Sequence, residues 1–202
     1  VDSSGIPKPA YAVIRRELAP LVVGVRRSLK GYGQTDGVEL WAVNGTAKRW
    51  SGMLEIKLYD LYGLVSQEQR SIALEPDGVT ELNGFKLQNP YLIVTARLLD
   101  DQGVQARASA WPEPFKYLQQ PEPGLQIGVA QDALRLQVTH PLKGLHLEAE
   151  GVTFEDNHID LFPDEERLVR GKGLGAKAVQ ARYLKSGACC IWQPKPEGAI
   201  GD

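Results

Sequence analysis

Cysteine is nearly absent from this chain, and the two present in 202 residues, Cys189 and Cys190, are neighbours. Consecutive Cα atoms stand about 3.8 Å apart, closer than ordinary disulfide geometry wants. No disulfide framework is encoded, which leans towards a reducing compartment. The three histidines, His140, His146 and His158, lack metal-ligand spacing, and with no Cys/His cluster a zinc site is not expected. No apolar run approaches the roughly 18 residues of a membrane span, and the first residues show no signal-peptide pattern. Val1 is not an initiator methionine, so the start is silent about a leader. An excess of one charge is missing as well. The 23 Lys and Arg against 25 Asp and Glu leave a net charge of −2, unsuited to neutralising phosphates or anionic lipid. Nucleic acid and membrane are therefore not expected partners.

Helix is the next scarcity. Residues Ile6 to Pro20 hold a single amphipathic signal, with Pro7 and Pro9 where a missing N–H is harmless and Pro20 as a stop. Ala10, Ile14 and Leu18 share one face at i, i+4 spacing with Tyr11 beside them, while Arg15 and Arg16 turn elsewhere. An isolated helix this short is marginal in water, below the roughly 12–15 residues that stand alone. Tyr11, Ile14 and Leu18 are thus expected to dock on a surface outside the chain, as the last element of a larger upstream domain. The first 30 residues are basic, with six Lys and Arg against two acids, which suits an acidic neighbour.

What the chain has in quantity is strand. From Leu21 the period falls to two: LVVGVRRSL, then VELWAVNGT with an Asn44-Gly45 hairpin signal, then MLEIKLYDLYG. In the last, Leu54, Ile56 and Leu58 alternate with Glu55 and Lys57, the pattern of a sheet with one wet face. Ser71–Leu74, Tyr91–Leu99 and Gln105–Ala110 complete a first β-sandwich. QQPEPG, residues 119–124, breaks the pattern like a linker. LQIGVAQ, ALRLQVTH, LHLEAEGVTF, HIDLF, RLVRG and AVQARYL then form a second sandwich, and Pro194–Asp202 reads as a frayed tail. The expected organisation is a helix and exit strand over residues 1–30, a sandwich over 31–120 and another over 121–202. The fold class is mainly β, two β-sandwiches preceded by one short helix.

Candidate chemistry is thin. Asp100-Asp101 and Asp164-Glu165-Glu166 sit in turns, where Asp caps the backbone, and Glu148 and Glu150 fall on a wet strand face. None forms a catalytic pair. Asp156, Asn157 and Asp160 in FEDNHID offer oxygen ligands that a calcium ion could take, although the segment lacks the glycine turn and terminal Glu of a calcium loop. A tight hairpin between Phe154 and Leu161 explains the same residues better. The 171–175 run, Gly-Lys-Gly-Leu-Gly, has no following helix or Lys-Ser/Thr ending and reads as a turn. Trp50, Trp111 and Trp41 are the carbohydrate-binding candidates, because sugar rings stack on flat faces with polar edges. Trp50 leads, among Lys48, Arg49 and Ser51. No cofactor is expected.

Three segments in order carry a resemblance. GIPKPAYAVIRRELAP resembles the last helix of the catalytic (β/α)₈ barrel of glycoside hydrolases of family 2, most closely the β-mannosidase type. GVELWAVNGTAKRWSGMLEIKLYDLYG resembles the immunoglobulin-like domain that follows in that family. LKGLHLEAEGVTFEDNHIDLFPDEERLV resembles its terminal sandwich, with Phe154, Asp156, Asn157, Asp160, Leu161 and Pro163 at the positions of a Phe-x-Asp-Asn-x-x-Asp-Leu-x-Pro stretch. The resemblance implies that the two sandwiches are immunoglobulin-like and the helix the remainder of a (β/α)₈ barrel, and that the parent hydrolyses terminal β-linked mannose or a related sugar with retention. It implies partners too: the upstream barrel of the same polypeptide, carbohydrate, and a homodimer contact. Retaining chemistry needs two carboxyl groups about 5–5.5 Å apart. In that family both are glutamates of the barrel, and no position here matches them, so no catalytic residue is assigned. The resemblance thus implies a non-catalytic accessory region that braces the barrel, with a carbohydrate-binding module acting by aromatic stacking as the alternative.

Overall fold

A computed structural model describes residues 8–29, 35–184 and 189–193. The turn glycines Gly31 and Gly33 and the tail from Pro194 lie outside these. The chain divides into two compact units, residues 13–121 and residues 122–202, with Lys8 to Ala12 grouped with the second. Helix α1 spans Pro9–Glu17, starting on a proline and followed by Pro20 before the first strand.

The first unit holds seven strands: β1 Leu21–Leu29, β2 Thr35–Asn44, β3 Trp50–Tyr59, β4 Leu64–Leu74, β5 Gly78–Phe85, β6 Ile93–Asp100 and β7 Gly103–Ala110. They form two antiparallel sheets, in the orders β1-β2-β5 and β4-β3-β6-β7. Period-two alternation turns Val23, Val38, Leu40 and Ala42 of one sheet towards Leu54, Ile56, Val94, Ala96 and Leu98 of the other, and these make the core. Strand β1, expected to accompany the helix, is instead a member of this sandwich, pairing with β2 from Leu21↔Asn44 to Leu29↔Thr35 and contributing Val23 to its core.

Two local expectations change. Asn44-Gly45 does not close a hairpin, since β2 and β3 belong to different sheets. The Asn44 side chain is fully buried and holds the crossing instead. Its Nδ2 donates to the carbonyls of Lys48 (2.8 Å) and Leu74 (3.2 Å), while its Oδ1 accepts from the N–H (3.1 Å) and hydroxyl (2.7 Å) of Thr46. The second change concerns the polar phase of β3. Glu55 and Lys57 are not on a wet face but are buried along with Thr95 on β6.

The second unit holds β8 Gln126–Ala130, β9 Ala133–Gln137, β10 Leu142–Glu148, β11 Thr153–Phe154, β12 Ile159–Leu161, β13 Arg167–Lys172, β14 Val179–Arg182 and β15 Cys189–Trp192. Its sheets run β11-β13-β9-β8 and β12-β10-β14-β15 around Leu134, Leu136, Leu145, Leu147, Leu161, Val169, Val179 and Ala181. Because β11 and β12 sit in opposite sheets, residues 155–158 are a crossing and not the expected hairpin. The 171–175 glycine run ends β13 and turns with Gly173 and Gly175 at positive φ, with Leu174 buried between them.

Candidate functional site

The face of α1 is the plainest candidate surface. Tyr11, Ile14 and Leu18 are 53, 54 and 78% exposed, and Val13 is exposed beside them. Leu18 lies just past the helix, and its N–H still donates to the Ile14 carbonyl at 2.9 Å, so the three apolar side chains stay on one track. Arg15 and Arg16 occupy the last turn, where a cation is favoured by the helix dipole.

The three tryptophans are employed in packing. Trp41 lies across Gly24, its partner in the β1/β2 register. A Cβ on Gly24 would fall 2.1 Å from the indole Cε2, so glycine there is what lets the ring lie on the strand. Trp50 covers Gly52 in the same manner, 2.5 Å from a hypothetical Cβ, and its Nε1 donates to Asp100 Oδ2 at 3.1 Å. Asp100 Oδ1 also accepts from the Gln102 N–H and from Gln105 Nε2, each at 2.9 Å, so Trp50 is tied to the β6–β7 turn. Trp111 is buried, 4% exposed and edge-on to Phe115 with centroids 5.7 Å apart, and offers no ring face to a sugar.

The oxygen-rich 156–160 segment is likewise committed to the fold. Asn157 makes a two-point contact with the backbone of Leu147, accepting from its N–H and donating to its carbonyl, both at 2.8 Å. Asp156 pairs with Arg167 at 2.8 Å, and Asp160 accepts from the Gly144 N–H at 2.8 Å. Among the described residues no group of three His, Cys, Asp or Glu is placed to hold a metal ion. His158, at φ 53°, stacks on His146 with centroids 4.7 Å apart and planes 6° from parallel. Parallel rings point their in-plane nitrogens alongside one another and do not converge on one ion. Sequence spacing could not reveal this pair, because β10 and the crossing are brought together by Asn157.

Among the described residues Glu55 is the only buried carboxylate. Its Oε1 accepts from Arg97 Nε at 2.6 Å and lies 3.6 Å from Lys57 Nζ, while its Oε2 accepts from Gln69 (2.7 Å) and Gln67 (3.2 Å). Its two oxygens are thereby committed to two cations and two amides of the same sheet. Arg27 is a half-buried cation. Burial pulls its guanidinium below the ordinary value and Glu113 pulls it back, while it donates to the carbonyls of Leu92 (2.7 Å) and Pro90.

Fold and surfaces together define an immunoglobulin-like β-sandwich region. Residues 36–117 match the family model of the Mannosidase Ig/CBM-like domain. The β-mannosidase B of Emericella nidulans is 31% identical over 198 residues, covering 88% of this chain and 23% of that protein. Its counterpart in Aspergillus niger is 32% identical over 193 residues, covering 84% and 23%. Among solved structures, the β-D-mannosidase of Dictyoglomus thermophilum superposes with a TM-score of 0.72 at 16% identity, covering 92% of this chain and 23% of that one. The exo-chitosanase of Amycolatopsis orientalis gives 0.60 at 14% identity, covering 91% and 28%. The resemblance read from the sequence is therefore borne out: over most of its length the chain is similar to part of β-mannosidase-type glycosidases, and it spans under a quarter of the curated relatives' length.

Proposed function

We propose that this chain is the non-catalytic C-terminal accessory region of a β-mannosidase-like glycoside hydrolase, and that α1 docks on the catalytic barrel of the same polypeptide. The parent reaction is retaining hydrolysis of a terminal β-linked mannose or a related sugar. The observation that carries this reading is the solvent-facing Tyr11 and Ile14 on a nine-residue helix, with Leu18 just past its end, in a chain that spans under a quarter of the length of the β-mannosidase B it matches. Burying one such side chain contributes about 1.5–3 kcal/mol, enough for three of them to seat a helix too short to persist alone. Further support comes from Glu55, Asp100, Asp156 and Asp160, whose carboxyl groups are held by ion pairs and hydrogen bonds within the fold. Helix α1 is then the docking element, and the two sandwiches, the first of them including β1, brace the barrel.

The test is a paired substitution, Ile14→Glu with Leu18→Asp, in the full-length polypeptide. Both side chains are exposed here, so the sandwiches keep their fold. The expected result is a lower melting temperature for the barrel and a lower kcat on an aryl β-mannoside, with the sandwich transition unchanged. Unchanged activity and melting would overturn the docking assignment.

A further inference from the structure

Outside α1, the exposed aromatic side chains among the described residues are Tyr62, Tyr91 and Tyr117, at 69, 66 and 66%. Register places Tyr62 and Tyr91 at one end of the first unit, where β7 also ends, and Phe115 against Trp111 holds the turn that carries Tyr117 near that exit. Tyr59, the last residue of β3, faces Leu64, the first of β4, and Ile93, the first of β6. Val94 of β6 faces Ala110, the last of β7. The 60–63 turn, the approach to β6 and the exit from β7 therefore all leave the sheet from the same edge of its strands.

Each tyrosine backbone is fixed independently of its ring. Asp60 Oδ1 accepts from the N–H groups of Tyr62 (2.7 Å) and Gly63 (2.8 Å). Asn89 Oδ1 accepts from the Tyr91 N–H at 2.9 Å, and Arg27 grips the carbonyls on either side of Tyr91. Tyr117 closes the 3-10 turn Phe115–Tyr117, anchored by Phe115 against buried Trp111, with Lys116 Nζ 4.9 Å from the Tyr117 ring centroid. The rings thus project from rigid points, a preorganised arrangement that loses little freedom on binding. Their chemistry is mixed: a flat apolar face, a hydroxyl rim, and Asp60, Asn89 and Lys116 nearby. A pyranose ring presents the complement, an apolar C–H face edged by hydroxyls.

We infer that Tyr62, Tyr91 and Tyr117 form a contact surface for an oligosaccharide chain, in place of the tryptophans that the fold uses for packing. Several aromatics spread over three loops suit an extended sugar chain better than a single ring. Leu64 and Val65, exposed at the start of β4 beside Tyr62, would also suit a protein surface, and the experiment separates the two. The inference stands apart from α1 docking, whose residues it does not use.

The 202-residue chain, labelled with nitrogen-15, is titrated with mannotetraose and, separately, cellotetraose while its backbone amides are followed. The expected result is saturable shifts at Tyr62, Gly63 and Tyr91, with either sugar supporting the surface and the stronger one naming its preference. Each of Tyr62→Ala, Tyr91→Ala and Tyr117→Ala should raise Kd about two- to tenfold, the range for a stacked aromatic. The variants should melt like the parent, because the rings are two-thirds exposed. Absence of saturable shifts up to about 20 mM sugar, well past millimolar affinity, would overturn the inference. So would equal binding by the triple variant, or protection of these amides by the catalytic barrel instead of by sugar.

Discussion

Substituting Asn44 by alanine should be among the most damaging single changes in the first sandwich, although it removes no apolar contact of note. Its amide, itself fully buried, closes four hydrogen bonds across the β2–β3 crossing, two to the carbonyls of Lys48 and Leu74 and two from Thr46, of which the one to Leu74 is wholly buried. A typical intramolecular hydrogen bond is worth about 1 kcal/mol net, and each buried group left unpaired costs about 1–3 kcal/mol. The exposed half of the crossing can recruit water, whereas the Leu74 carbonyl cannot, which sets the loss at about 2–4 kcal/mol. In equilibrium urea unfolding, with m near 2 kcal/mol/M, that is a midpoint shift of about 1–2 M. Asn44→Asp distinguishes hydrogen bonding from shape. It keeps the acceptor for Thr46 but turns a carboxylate oxygen on two carbonyls, so it should be worse than alanine at pH 7. It should recover as the pH falls, because the buried carboxyl has a raised pKa and its protonated form can donate to one of them. A midpoint within 0.25 M of the parent for Asn44→Ala, or an Asn44→Asp variant as stable at pH 7 as at pH 4, would refute the reasoning.

Three further outcomes follow from the packing. Gly24→Val should cost about 1–3 kcal/mol by driving a side chain into the Trp41 indole, and the same change combined with Trp41→Ala should recover part of it in a thermal melt. Glu55→Gln should cost on the order of 3 kcal/mol, since it strips the counter-charge from buried Lys57 and half-buried Arg97, and adding Lys57→Met should return some of that stability. Asn157→Ala should speed hydrogen exchange at the Leu147 amide by about tenfold or more, the equivalent of losing at least one structural hydrogen bond, while leaving amides of the first unit unchanged.

Much of this architecture is legible in the order of residues, and the misses share a cause. Alternation in MLEIKLYDLYG assigns faces correctly, but it cannot report what covers a face, so Glu55 and Lys57 read as solvated although they are buried as an ion cluster. Asn-Gly marks a chain reversal and does not specify whether the next strand stays in the sheet. Asn44 and the 155–158 segment both turn out to be sheet crossings secured by an asparagine. Strand β5, Gly78–Phe85, escapes the pattern because it carries glycine inside and at its start and lies at a sheet edge, where weak propensity is tolerated. The tryptophans stand out by chemistry alone; Gly24, the partner of Trp41, is visible only once β1 and β2 are in register, whereas Gly52 lies two residues from Trp50 on the same strand. The exposed tyrosines carry no signal in the sequence, since only the register shows that the segments around them leave the same end of the sheet.

The central claim is that this chain supports a glycosidase without performing the chemistry. It is tested most directly by assaying an aryl β-mannoside with three preparations: the 202-residue chain, the full-length polypeptide, and the polypeptide lacking this chain. The account predicts turnover by the full-length protein, none by the isolated chain, and a lower melting temperature with reduced turnover when the chain is removed. Hydrolysis by the isolated chain, or full activity and unchanged melting without it, would contradict the account.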